Sequence, residues 1–231
     1  MAQTTLKYRQ IAGGLDGWIP AEETWTYASA TTFTISGDKT SKYQKGDKIK
    51  LTQTSVKYFY IIGVSYSSPN TTITVTGGSD YSLANATITS PFYSKAESPQ
   101  GFPLFFNWTT TVTCPGGTVP TYSTNSCSFT ISNGFCLFTI YLENSSGGTA
   151  GASANPLFCS KPISATSTKS LGIHGTFSYY EQDVTALGSG VLRGGNAGAT
   201  LYFMKYNGAN LTGDEQSSTT RQLFAEGKFP I

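Results

Sequence analysis

The sequence predicts an all-β protein: a small antiparallel β-barrel or sandwich domain followed by an antiparallel, jelly-roll-like β-sandwich. Three observations carry this prediction. Short segments that alternate apolar and polar residues recur along the 231-residue chain. Turn-forming residues separate them, including 25 glycines and 10 prolines. Charged residues make up only 12% and aromatic residues 13%, a composition typical of β-structure with polar, uncharged surfaces.

Residues 1–17 form the first predicted segment. They are polar and close with the glycine-rich stretch Ala12 to Gly17. Such a composition cannot bury enough apolar surface to pack by itself. We therefore expect a flexible attachment arm that becomes ordered on a partner.

Residues 18–97 are predicted to form the small β-domain, whose most regular stretch is 43–78. From Val56 to Tyr66 every second residue is apolar, and Pro69-Asn70 then breaks the chain before the alternation resumes. This pattern predicts a three-stranded antiparallel meander. Further short strands are expected around Trp25 to Tyr27 and at Thr32 to Ser36.

Two other features of this domain lead to predictions. The segment from Asp80 to Thr89 could hold a helical turn and a last short strand, but it is too poor in helix formers for more. Lys48, Lys50 and Lys57 alternate with apolar residues, and we interpret them as the solvent face of edge strands rather than as a basic binding patch.

Residues 98–108 are predicted to be a junction. Two prolines and four aromatic residues disfavour a regular strand, and the segment is too apolar for a solvated linker. It is expected to pack against a neighbouring domain or chain, or equally to cover the core of its own domain. Candidate attachment or interface residues are the aromatics of the junction and of the domain's first strands: Trp18, Trp25, Tyr27, Phe102, Phe105, Phe106 and Trp108.

Residues 109–231 are predicted to form the jelly-roll-like sandwich from about eight short strands. Asn133-Gly134 predicts a tight hairpin, and the following run from Phe135 to Leu142 is apolar at most positions, which predicts a strand buried on both faces. Asn207-Gly208 predicts another hairpin. Other strand candidates are Leu157 to Cys159, Gly172 to Tyr180, Gly190 to Leu192, Thr200 to Tyr206 and Leu223 to Phe229.

Charge and composition disfavour several kinds of partner. The net charge is only +2 and no basic stripe occurs, so nucleic acid is not an expected partner. No apolar run approaches the roughly 20 residues that span a bilayer, so membrane insertion is not expected. No signal peptide is recognisable at the N-terminus, which predicts synthesis in a cytoplasm.

No cofactor or metal site is predicted. The four cysteines, Cys114, Cys127, Cys136 and Cys159, are spaced too irregularly for a zinc ribbon. Free, buried thiols are favoured over one or two disulfides, and both alternatives stay open. His174 is the only histidine and lies in a strand-like setting, and the 13 acidic residues are thinly spread, so a catalytic site is not expected. Tyr179 and Tyr180 are candidate glycan contacts.

The first domain resembles a module that recurs in virion proteins of tailed bacteriophages. The similarity covers about residues 17–106. It is carried by four stretches that keep their order and spacing: Gly17 to Pro20, Trp25 to Asp38, Tyr43 to Leu51 and Tyr58 to Val75. The C-terminal half is similar, more loosely, to trimeric jelly-roll domains that end phage fibres and decoration proteins, through Lys205 to Gly213 and the strand that follows.

This resemblance implies a non-enzymatic virion structural protein that is assembled in the host bacterial cytoplasm. Its partners would be two further copies in a homotrimer and other phage virion proteins of the tail or capsid, with a host surface glycan as a further candidate. The resemblance fits a tail fibre or receptor-binding component that is anchored by its N-terminal part. A capsid decoration or head-fibre protein is one alternative, and a small glycan-binding or glycan-active domain is another.

Overall fold

The computed structural model describes residues 16–144, 155–163, 172–181, 185–194, 199–212, 215 and 221–231. These residues form two antiparallel sheets, one of them a curled half-barrel, which confirms the predicted all-β class. The chain divides into two compact units, residues 1–106 with 131–134 and residues 107–130 with 135–231. Residues 1–15 of the predicted arm lie outside the described part of the chain.

The first unit is built on a seven-stranded sheet with the order β1-β7-β4-β5-β6-β3-β2. The meander predicted for residues 43–78 is confirmed, because β4, β5 and β6 are neighbours in this order. Residues 80–88 hold no helical turn and lead directly into β7. The strands are β1 (Ile19–Pro20), β2 (Thr26–Ser29), β3 (Thr32–Ser36), β4 (Lys48–Thr52), β5 (Val56–Ser67), β6 (Asn70–Thr76) and β7 (Thr89–Ser94).

Alternation along these strands places the main core of the unit on one face of the sheet. Ile49 and Leu51 of β4, for example, are fully buried, as are Ile73 and Val75 of β6. Because successive side chains of a strand point to opposite faces, one apolar residue in two is enough to build this core. The buried cluster comprises Ala21, Trp25, Phe33, Ile35, Tyr43, Ile49, Leu51, Phe59, Ile61, Ile73, Val75, Leu83 and Ile88.

The prediction that Lys48, Lys50 and Lys57 form the solvent face of edge strands is wrong. Strand β4 is a central strand that pairs with β7 on one side and β5 on the other. Lys48 is only 5% exposed, Lys50 is half-buried, and Lys57 donates a hydrogen bond to the Ser82 carbonyl. The alternation showed correctly that Lys48 and Lys50 point away from the main core, but that second face is itself covered by aromatic side chains. Lys57 pairs with the buried Leu51 and therefore lies on the core side of the sheet.

The second unit is built on a nine-stranded sheet with the order β8-β10-β11-β16-β13-β14-β15-β12-β9. All the strands predicted from the sequence for this half are present within it. They are β8 (Phe106–Trp108), β9 (Val112–Thr113), β10 (Thr124–Ser132), β11 (Phe135–Asn144), β12 (Phe158–Ser160), β13 (Ile173–Glu181), β14 (Thr185–Gly194), β15 (Thr200–Lys205) and β16 (Arg221–Pro230).

Strands β8 and β9 lie at opposite ends of this sheet, yet only residues 109–111 separate them in the chain. Thr110 exchanges hydrogen bonds with the Asn125 side chain of β10, and its hydroxyl donates to the carbonyl of Ser160 in β12. The two ends of the sheet are therefore joined through one short segment of chain, which holds the two edge strands near each other.

The strand order contains two Greek keys. Strands β13, β14 and β15 are neighbours in sequence, and β16 returns to lie beside β13. Strands β8 and β9 can be counted as one strand that is interrupted by residues 109–111. Strands β10 and β11 follow this strand in the chain, and β12 then returns to pair with its second part, β9. Greek keys are found in most antiparallel sandwiches, so the predicted antiparallel β-sandwich is confirmed for this half, and the second unit keeps its predicted name, the jelly roll, below.

The hairpin predicted at Asn133-Gly134 is confirmed, and both residues have positive φ angles, 50° and 78°. Two successive positive φ angles are what a type I′ turn needs to match the twist of its strands. The strand that follows is not buried on both faces as predicted. In β11 the even-numbered residues are buried, whereas Phe135 and Leu137 remain 40% and 39% exposed.

The junction predicted at residues 98–108 is only partly irregular. Its last residues, Phe106–Trp108, form strand β8, so the prediction that this composition disfavours a regular strand is wrong there. Both prolines, Pro99 and Pro103, precede the strand, where a missing backbone N–H costs no ladder hydrogen bond.

Two glycines of the jelly roll test how closely β13 and β16 approach each other. A Cβ at Gly175 in β13 would collide with the Glu226 backbone carbonyl of the paired strand β16, whereas a Cβ at Gly172 would meet nothing within 4 Å. We expect Gly175→Ala to lower the free energy of unfolding by about 1–3 kcal/mol. Gly172→Ala, the matched control, should leave it unchanged within about 0.5 kcal/mol in urea titrations. Equal effects of the two substitutions would contradict the strand register.

Candidate functional site

An aromatic cluster covers the second face of the first unit's sheet. It consists of Trp18, Tyr58, Tyr60, Phe102 and Phe106. The Phe102 ring lies at its centre, with centroid distances of 5.0–6.1 Å to the other four rings. Tilted and edge-on contacts at such distances stabilise aromatic groups beyond their buried area. Three predicted interface residues, Trp18, Phe102 and Phe106, therefore come together as internal packing of their own unit.

Two lysines of β4 lie against these rings. The Lys50 Nζ is 4.6 Å from the ring centroids of both Trp18 and Phe92, and the Lys48 Nζ is 5.6 Å from that of Tyr60. Burial lowers the pKa of both lysines. The aromatic faces stabilise the ammonium groups where water is scarce. These cations consequently serve the packing of the sheet rather than an exposed basic patch.

The remaining predicted interface residues lie apart from this cluster. Trp25 is 2% exposed in the main core of its unit and stacks on Phe33 at 4.5 Å. Tyr27 packs half-buried against the same core, and Trp108 is buried in the second unit. Only Phe105 leaves most of its ring exposed, at 55%, beside Leu104 at 83%. Among the seven predicted residues, Phe105 is thus the one best placed for contact with a partner.

The two candidate glycan contacts differ in exposure. Tyr179 is 7% exposed, and its ring lies 6.2 Å from that of Phe177 inside the jelly roll. Its face is therefore closed to a sugar. Tyr180 points to the opposite side of β13 and is half-buried, with Gln222 of β16 as its cross-strand neighbour.

A shallow groove of about 420 Å³ lies along the edge of the first unit, between β1 and the start of β7. Glu22 and Ser90, which both line it, have positive φ angles of 60° and 46°. Glu23 also lines it, but its carboxylate accepts hydrogen bonds from the Tyr43 hydroxyl and the Lys42 ammonium. Burial opposes ionisation of Glu23, yet these hydrogen bonds hold its pKa below the ordinary value. The Glu23 carboxylate therefore stabilises the fold of its unit through Tyr43 and Lys42.

The cysteines are free thiols, and all four are buried in the second unit. Burial raises the pKa of Cys136 to about 12 and also raises the pKa values of Cys127 and Cys159. Because the thiolate is the nucleophile, these three side chains are unreactive near neutral pH. Of the two alternatives left open by the sequence, the structure has free thiols.

His174 lies in a small buried cluster around Phe229. Its Nε2 has no hydrogen-bond partner, and the ring lies 6.1 Å from that of Phe229. The Lys161 Nζ lies 4.8 Å from the same ring, while Cys136 is the cross-strand neighbour of Phe229. Burial and the nearby Lys161 charge lower the pKa of His174, so it is neutral at pH 7.

Two features are absent from the residues that the structure describes. No group of three or more His, Cys, Asp or Glu side chains is placed to hold a metal ion there. The same residues contain no helix with the length and hydrophobicity needed to cross a membrane.

An exposed stripe runs along the outer face of two central strands of the jelly roll. The apolar stripe consists of Phe135, Leu137 and Tyr141 of β11 and Phe224 of β16. Phe224 is 43% exposed and lies directly opposite Tyr141. Between the two ends of the stripe lie Thr139 and Glu226, also a cross-strand pair. The sequence pattern missed this surface, because an apolar run does not reveal which of its faces is covered.

No protein-family model, curated protein or solved structure matches the chain.

The burial of Trp18 can be separated from a role in attachment. Trp18→Ala should destabilise the first unit by about 3–5 kcal/mol, because the ring is 2% exposed and its Nε1 donates to the Gln100 carbonyl at 2.8 Å. Phe105→Ala should change the free energy of unfolding by less than about 0.5 kcal/mol. Urea unfolding followed by tryptophan fluorescence measures both. A large effect of Phe105→Ala with none for Trp18→Ala would reverse the assignment.

His174 makes stability depend on pH in a defined direction. Its pKa in the folded protein lies below the ordinary value of 6.5, so as the pH falls below 6.5 the unfolded chain takes up a proton that the folded chain resists. Stability should therefore be full well above pH 6.5 and decrease as the pH falls through and below this value. Urea titrations across this range should show a smaller decrease for His174→Gln. An identical pH dependence in both proteins would exclude His174 as its source.

Proposed function

We propose that this chain is a non-enzymatic structural protein of a tailed-bacteriophage virion. In this proposal the N-terminal part attaches it to other virion proteins, and the jelly roll associates with two further copies and projects outward as a fibre or receptor-binding component. The resemblance of residues 17–106 to virion modules supports the first part. The exposed surface of the jelly roll supports the second.

The observation that carries the proposal is the apolar stripe. Phe135, Leu137 and Phe224 are each about 40% exposed and lie on β11 and β16, whose backbones are already paired on both sides. A partner must therefore cover a side-chain face, not an edge. Apolar residues on such a face favour burial between subunits, and most oligomers of identical chains close by cyclic symmetry.

Charges beside the stripe suit association between identical copies. On β16 the outward residues Phe224, Glu226 and Lys228 follow one another at every second position. An acid and a base so close together allow a neighbouring copy to present the opposite charge to each. Lys228 also lies over the ring of Phe135, with its Nζ 5.5 Å from the centroid. Such pairs fix orientation more than they add affinity.

Unreactive side chains support a structural role over catalysis. The only histidine is buried and neutral beside Lys161, and the buried thiols have raised pKa values. The carboxylate of Glu23 is engaged by Lys42 and Tyr43. These groups are held in the packing of their units, where they cannot exchange protons with a substrate.

The native mass tests the assembly part of the proposal. We expect about 74 kDa by light scattering, three times the 24.6 kDa of one chain. Phe224→Glu, which places a charge in the stripe, should release monomers of unchanged circular dichroism. Tyr66→Glu is the matched control, since Tyr66 is also 43% exposed but lies in the first unit, and it should leave the trimer intact.

A wild-type monomer would count against assembly through the stripe, as would a trimer unaffected by Phe224→Glu. The virion part has its own test, which is imaging of phage particles labelled on this chain. Label at the tail supports the fibre assignment, label on tail-less heads supports the capsid decoration alternative, and particles without label would overturn both.

A further inference from the structure

We propose that the outer face of the second half of the jelly roll binds a carboxylate-bearing surface glycan through Arg193 and the aromatic rings beside it. This inference rests on the proposed function and names the chemistry of the receptor. The site is a row of four side chains on neighbouring strands, here termed the Arg193 ladder: Phe158 of β12, Tyr202 of β15, Arg193 of β14 and Ile173 of β13.

Strand register brings these residues together. Phe158 pairs directly with Tyr202, Tyr202 with Arg193, and Arg193 with Ile173. Since neighbouring strands lie about 4.8 Å apart, three steps across the sheet give a row of about 14 Å. That is the length of a short oligosaccharide lying across the strands.

The ladder points outward. The residues on either side of it in sequence, Leu157, Cys159, Leu201, Phe203 and Leu192, are each at most 1% exposed and fill the interior. Side chains alternate along a strand, so the ladder residues must lie on the opposite face. Phe158, Tyr202 and Arg193 are half-buried and Ile173 is 68% exposed.

The ladder also has aromatic surface beside its charge. The ring centroids of Phe158 and Tyr202 are 6.0 Å apart, and the Arg193 Cζ lies 5.8 Å from the Tyr202 centroid. The two ring planes are inclined by 56°, so they form an angled apolar surface that suits the apolar C–H face of a sugar ring. The guanidinium continues this surface with a charge.

Arg193 supplies the specificity. Its Nη1 contacts the Met204 Sδ at 3.6 Å, a weak acceptor, and no carboxylate pairs with it in the described part of the chain. By contrast, Lys205 on the neighbouring strand is paired with Glu215 at 2.6 Å. A guanidinium has five N–H donors, so Arg193 retains donors for a ligand. It is suited to bind a carboxylate through two parallel hydrogen bonds.

A carboxylated glycan fits this arrangement better than nucleic acid does. Binding of a nucleic acid strand depends on several cations along its phosphates. The ladder has one, and the whole chain carries a net charge of only +2. A polysaccharide with one uronic or sialic acid in each repeat would need a single cation beside stacking surfaces.

The test uses the full chain and a panel of bacterial capsular and lipopolysaccharide oligosaccharides, each acidic member paired with its methyl ester. We expect binding only to acidic members, lost on esterification. Arg193→Gln and Tyr202→Ala should each weaken binding about tenfold or more, whereas Arg193→Lys should weaken it less. Tyr206→Ala, which removes a 70% exposed ring at a turn, is the control and should change nothing.

Three results would overturn the inference: no acidic oligosaccharide bound at millimolar concentration, binding that survives esterification or Arg193→Gln, and tighter binding of an oligothymidylate than of any glycan. Light scattering on the same variants separates this inference from the assembly proposal. If Tyr202→Ala dissociates the oligomer, the face is a subunit contact and not a glycan site. A trimer that binds no glycan would overturn only the glycan inference. A monomer that binds a glycan would overturn only the assembly proposal.

Discussion

The jelly roll depends on residues 109–111, which carry the chain from one end of the nine-stranded sheet to the other. Thr110 is bonded to Asn125 near one end and to Ser160 near the other, and Thr111 also exchanges hydrogen bonds with Ser160, so these two residues hold the closure. Strands β8 and β9 are the two short end strands of the sheet, and this segment ties these two edges together. The closed sheet has an inner face that forms the core and an outer face that carries both the apolar stripe and the Arg193 ladder.

The local pattern was enough to predict nearly all the strands, because alternation and turn residues act over a few positions. Asn133-Gly134 is the clearest example, since both residues have the positive φ angles that its hairpin needs. The lysines of β4 show the limit of such reasoning. Their alternation revealed the side of the sheet correctly, but the cover on that side comes from Trp18 and Phe102, more than 25 residues away along the chain.

The candidate sites were harder to predict for the same reason. An aromatic residue buried inside its own unit and one exposed on its surface look alike in a sequence. The sequence therefore places Trp18 and Phe105 in one group, although the first is buried and the second exposed. The Arg193 ladder has no local signal at all. Its residues come from four strands between Phe158 and Tyr202, and only the register of those strands places them in one row.

The way the chain enters and leaves the jelly roll has a mechanical consequence. It enters through the closure strands β8 and β9, of three and two residues, and it leaves through β16, which is paired along ten residues with β11. Tension between the two ends would thus act on the shortest hydrogen-bonded ladders first. Under tension, β8 and β9 would therefore separate from their neighbours before the central strands did. They would pair again once the tension was released.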